Sequence, residues 1–83
     1  MKLKTKLVMP VNQTWVRDYE LPIAPFPGLG IRLDVYEIFN VISVVVGDFG
    51  YDVTCIGSLE GLTAEQHTDA LCTRLGFEAG LYP

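Results

Sequence analysis

The sequence predicts an α+β fold: one small domain in which an antiparallel sheet of about five strands carries a single C-terminal α-helix packed on one face, in the order β-β-loop-β-β-β-α. Three observations lead there. Apolar and polar residues alternate with a period of two over several stretches between residues 2 and 59. A proline-rich segment, residues 22–28, divides the first two of those stretches from the rest. Residues 62–77 then change to helical spacing, between a capping signal and a glycine stop. At 83 residues the chain has room for one domain, 1–83, with 22–28 as an internal loop and 78–83 as a tail that frays or folds over an edge.

Leu3, Thr5, Leu7 and Met9 fall on one side of an extended chain, and Lys2, Lys4 and Lys6 on the other. This is the pattern of a half-buried strand, expected at a sheet edge where lysines oppose edge-to-edge association. Pro10-Val11-Asn12-Gln13 supplies a turn. Over Thr14–Leu21, Trp15, Arg17, Tyr19 and Leu21 alternate with Thr14, Val16, Asp18 and Glu20, so the aromatic side of a second strand faces the core or a partner.

Pro22, Pro25 and Pro27 lack the N–H that a ladder or helix needs, so 22–28 reads as a rigid extended crossing. Pro22 and Pro25 have PxxP spacing without a basic anchor beside it, which favours a loop over a ligand motif. Alternation resumes over Leu29–Val35. An unbroken strand from 29 to 46 would extend ~60 Å at ~3.3 Å per residue, against a radius of gyration near ~12 Å for a compact chain of this size. The chain must therefore turn or bulge within Tyr36–Val41, with Asn40 the best candidate for a left-handed residue. Val41–Val46 is apolar on both sides, as in a central strand covered twice; left exposed, it would be an aggregation segment.

Gly47-Asp48-Phe49-Gly50 reads as a three-residue hairpin loop with Gly50 at positive φ. Tyr51–Leu59 follows as a strand with Tyr51, Val53, Cys55 and Leu59 on its apolar side. Thr63-x-x-Gln66 is a capping box, Arg74 suits the last helical turn, and Gly76 fits the position just past the helix, with Phe77 folding back on Cys72. Ala64, Thr68, Leu71, Cys72 and Leu75 form the expected buried stripe, which leaves His67 exposed.

The net charge is −4, from 10 acids and 6 bases, which argues against a nucleic-acid binder. The bases cluster: Lys2, Lys4, Lys6 and Arg17 precede every acid. The amino-terminal residues lack an apolar signal core and no run approaches the ~20 apolar residues of a membrane helix, so a cytoplasmic, reducing setting is expected, with Cys55 and Cys72 as buried thiols.

Chemistry-bearing patterns are sparse. Cys55, His67 and Cys72 show no zinc spacing, and His67 and Cys72 stand about 140° apart on a helix, so no metal site is expected. Burial of Cys55 and the position of Cys72 near a helix C-terminus both disfavour a thiolate. Asp48-Phe49-Gly50 repeats part of a kinase motif in a chain far too short for a kinase, and Asp48 and Asp52 lack calcium-loop spacing. Gly28-x-Gly30 enters a strand rather than a helix and is no phosphate cradle. No cofactor and no catalytic residues are expected.

Nine aromatic residues exceed what one helix on one sheet face can shelter. Trp15, Tyr19 and Phe39 are the expected surplus, at an interface with another protein, and Lys2, Lys4 and Lys6 are candidate contacts to an acidic partner. The leading expectation is a small non-enzymatic protein–protein interaction module, a homodimer, acting as an accessory or inhibitory binding protein of the phage or bacterial kind. The alternative is a small-molecule binder or small enzyme with a helix–sheet pocket holding His67 and the carboxylates Asp48, Asp52 and Asp69. A third reading has nucleic acid binding through the three lysines.

Overall fold

The computed structural model describes residues 2–11, 13–47 and 50–80. Among them, strands β1 (Leu3–Pro10), β2 (Thr14–Leu21), β3 (Gly30–Arg32), β4 (Ile38–Val46), β5 (Val53–Leu59) and β6 (Glu78–Ala79) form one sheet in the order β3-β4-β5-β1-β2-β6. A 3₁₀ turn (Ala64–Gln66) and one short helix, α1 (Asp69–Arg74), lie between β5 and β6. The architecture is α+β, but the sheet is mixed, not purely antiparallel. β1 runs parallel to β5, pairing Leu7 with Cys55, while the other neighbours are antiparallel. The proline-rich crossing is the reason. It carries the chain from the end of β2 to the far edge, so the β3-β4-β5 meander docks on the free side of β1 with β5 heading the same way.

That docking makes β1 an inner strand, not the expected edge. Its odd positions Thr5, Leu7 and Met9 are buried on the helix side, and register continues this side through Trp15, Tyr19, Leu21, Val53, Cys55, Leu59, Phe39 and Ile31. Cys72, Leu75 and Phe77 close the same core from α1 and its exit, with Phe77 stacked on Phe39 at 6.2 Å between ring centroids. The sheet curls, so that Tyr19 and Leu21 of β2 and Gly30–Arg32 of β3 line one cleft although four strand positions separate them. α1 ties the two sides of this curl together. Arg17 of β2 donates to the Leu75 carbonyl at 2.7 Å, and Arg74 reaches Asp34 (2.6 Å) and Glu37 (3.1 Å) in the β3–β4 hairpin.

The curl explains how so little helix suffices. The expected helix over 62–77 is two pieces, because Thr68 is itself an N-cap: it is extended (φ −87°, ψ 159°) and its hydroxyl accepts from Leu71 N–H. The capping box forms only as Thr63 N–H donating to Gln66 Oε1 (2.8 Å), and it organises a single 3₁₀ turn. The stop is as expected. Gly76 has φ 87°, Gly76 N–H bonds the Thr73 carbonyl and Phe77 N–H the Cys72 carbonyl, which is the Schellman pair.

The turn expected within Tyr36–Val41 comes earlier in the chain. The chain reverses at residues 33–37, where Leu33 and Asp34 N–H both bond the Glu37 carbonyl, before the Tyr36–Val41 window is complete. Asn40 is extended and paired with Gly30, and no non-glycine residue has positive φ among the described residues. A β-bulge then leaves Ile42 unpaired between Val41–Gly57 and Ser43–Ile56. Gly50 has positive φ as expected (82°), whereas Asp48 and Phe49 lie outside the described residues. In the described part of the tail, Glu78 and Ala79 pair with Val16 and Trp15 along the β2 edge, while residues 81–83 lie outside the described residues.

Candidate functional site

Trp15 and Phe39, expected as surplus aromatics at the surface, are core residues, 5% and 0% exposed. Register decides this. Trp15 lies opposite Met9 and Phe39 opposite Leu59, both on the helix side. Tyr19 is half-buried, with the Arg17 guanidinium 5.5 Å from its ring centre. It borders a shallow cleft of about 250 Å³ with Leu21, Ile23, Leu29 and Ile31.

The lysines do not form a free basic patch. Lys4 stands opposite Glu20 and Lys6 opposite Asp18 in the β1–β2 ladder, and Lys2 pairs with Glu20 at 3.6 Å. Lys6 also sits 5.5 Å from the centre of the Tyr51 ring. Acids read as the body of the molecule in sequence order are thus interleaved with the bases in space. The sheet side away from the helix is correspondingly mixed: Lys4, Lys6, Asp18 and Glu20 share it with Val8, Val16 and Ile56.

The groups expected to build a chemical pocket are scattered. His67 is buried, not exposed, because the break before Thr68 turns it inward. Its Nδ1 lies 2.7 Å from the Thr63 carbonyl oxygen. A carbonyl only accepts, so Nδ1 carries the proton, and Nε2 has no hydrogen-bond partner among the described residues. Asp52 accepts from Lys4 N–H at the opposite end of β5, and Asp69 is exposed. Three shallow clefts of about 250–280 Å³ are lined by other described residues and not by His67. Among the described residues no three His, Cys, Asp or Glu side chains converge on a point. Cys55 and Cys72 are buried free thiols. Burial pushes Cys55 up to about 11, and burial with the nearby Asp69 carboxylate raises Cys72.

The apolar surface lies elsewhere. Ile42 (59% exposed), Val45 (41%) and Val46 (76%) stand out along the second half of β4, and Phe26, Val35 and Tyr36 are exposed in the loops on that side of the sheet. β3 pairs only with Ile38–Asn40, so it shields a third of β4. The signal was present in the sequence as an uncharged run, Val41–Val46, whose reading as a doubly covered central strand put it in the wrong place.

Comparison of the chain with family models, curated proteins and solved structures finds no match. No helix among the described residues is long and apolar enough to cross a membrane.

Proposed function

We propose that this chain is a small non-enzymatic protein–protein interaction module that works as a homodimer, in the manner of an accessory or inhibitory binding protein. One observation carries the reading: the core is already closed by the curled sheet and α1, yet three apolar side chains of one strand, Ile42, Val45 and Val46, remain in solvent. A chain with so few charges leaves such a strand exposed at a cost in solubility unless something covers it. The two buried, unlinked thiols favour a reducing, cytoplasmic setting. Light scattering across a micromolar concentration series is expected to show a rise from the mass of one chain to that of two. A strict 9.2 kDa monomer at high micromolar concentration would reject the dimer.

A further inference from the structure

We propose that the open edge of β4 pairs with the same strand of a second copy, Ile42–Val46 running antiparallel to Ile42–Val46 about a two-fold axis at Val44. This rests on the homodimer reading above and names its contact.

The first ground is backbone accounting. On its outer side β4 is paired with β3 at Ile38–Asn40, and Val41 is satisfied by loop backbone: Gly28 N–H donates to the Val41 carbonyl (2.8 Å) and Val41 N–H to the Leu29 carbonyl (2.9 Å). From Ile42 to Val46 no described residue pairs with that side, while the inner side is held by β5. Alternate N–H and C=O groups therefore face outwards along an apolar strand.

The second ground is length, and it selects the occupant. The gap is closed at one end by Gly28–Leu29 and at the other by the chain leaving the strand at Gly47, where φ is 85°. With Val44 opposite Val44, the second copy's Val46 falls beside Ile42. Its next residue, Gly47, would come opposite Val41, which Gly28 and Leu29 already hold, and its φ of 85° takes it out of the extended line there. A longer foreign strand that stayed extended in this register would run into the Gly28–Leu29 backbone, whereas a copy of this chain stops being extended at Gly47, so its strand is as long as the gap. Phe26, 52% exposed and bonded through its carbonyl to Leu29 N–H, stands at the closed end of the gap.

The third ground is side-chain chemistry. The opposed pairs are Val44–Val44, Ser43–Val45 and Ile42–Val46, with no charge among them. Pairing of one edge with itself closes after two copies, so it makes a dimer and not a fibre.

The test combines light scattering with cross-linking. The double variant Ser43→Cys, Val45→Cys places a thiol from each copy opposite one from the other, at distances a disulfide spans; mild oxidation is expected to give a covalent dimer, while each single variant gives far less. The native thiols are buried and stay out of the reaction. Val46→Lys, at a side chain 76% exposed, is expected to weaken dimerisation about tenfold or more with circular dichroism unchanged. A wild-type chain that stays monomeric overturns both the dimer and this contact. A wild-type dimer without the double-variant cross-link leaves the dimer standing and overturns the edge pairing, as does a folded Val46→Lys variant that dimerises as well as wild type. If Val46→Lys fails to fold, the cross-link alone decides.

Discussion

The sheet has two long strands whose outer sides are mostly unpaired, and they are managed in opposite ways. On β2, β6 covers only Trp15 and Val16, and no described strand pairs with Arg17–Leu21. That stretch carries Arg17, Asp18 and Glu20, held by Leu75, Tyr51 and Lys2 respectively, and Pro22 follows directly. An incoming strand would have to strip charged side chains and meet a residue with no N–H donor. On β4, residues 38–46 include no charge and no proline, and Ile42–Val46 is equally unpaired. The contrast teaches that this chain has the means to blunt an edge and uses them on one side only. The unguarded edge is where association is expected.

The largest effect should come from unseating β4. Its bulge is accommodated by Gly57, where an added Cβ would lie 2.0 Å from the Asn40 carbonyl oxygen and 3.0 Å from Phe39 Cε1. The first is ladder backbone and cannot swing aside. Gly57→Ala is expected to cost ~3 kcal/mol or more, or to prevent folding, since overpacking against fixed backbone has no cheap relief. Urea unfolding measures it, and a midpoint equal to wild type would mean that β4 is less firmly set against β5 than its register implies.

How much of this was legible beforehand depended on whether the information was local. Strands β1, β2 and β5 were readable because period-two alternation is carried by neighbouring residues, the second half of β4 because it is an unbroken apolar run, and the Gly76 stop because a left-handed exit has a residue-level signature. Strand order was not readable. Nothing near Leu7 announces that Cys55 will lie parallel beside it, and so the lysines of β1 were read as guarding an edge that β5 in fact covers. The interaction surface failed for the same reason in reverse. Trp15 and Phe39 are large aromatics, but their place is set by cross-strand register, which puts both in the core. The split helix was hidden because Thr68 fits a helical stripe as well as a cap, and only its inward-turned neighbour His67 shows which role prevailed.

A second, intermediate effect probes how tightly the ladder beneath the open edge is closed. Cys55 lies opposite Val44, and burial raises its thiol from 9.0 to about 11. Because the folded value lies above the unfolded one, the native state holds its proton where the unfolded chain has lost it. The resulting stability is fully present below pH 9 and is lost as pH rises towards 11, up to ~2–3 kcal/mol. Cys55→Ala should lack this component, so the difference between the two proteins' unfolding free energies is expected to change between pH 9 and 11. Parallel curves would show that solvent reaches the thiol, and hence that β4 opens from β5 in the native state.

The smallest effect on stability, and the sharpest on the contrast between the edges, is expected from Glu20→Val. The Lys2–Glu20 contact is long (3.6 Å) and both side chains are well exposed, so its loss should change unfolding free energy by no more than ~0.5 kcal/mol. The same change removes one of the three charges that guard the open part of β2 and puts a strand-forming apolar residue in its place. The second edge then resembles the first, and a chain with two receptive edges no longer closes after one pairing. Species larger than the dimer are expected in light scattering at concentrations where the wild-type chain shows none. A variant that remains no larger than wild type would mean that Arg17, Asp18 and Pro22 protect β2 without Glu20, so that the edge is blunted redundantly rather than by its full row of charges.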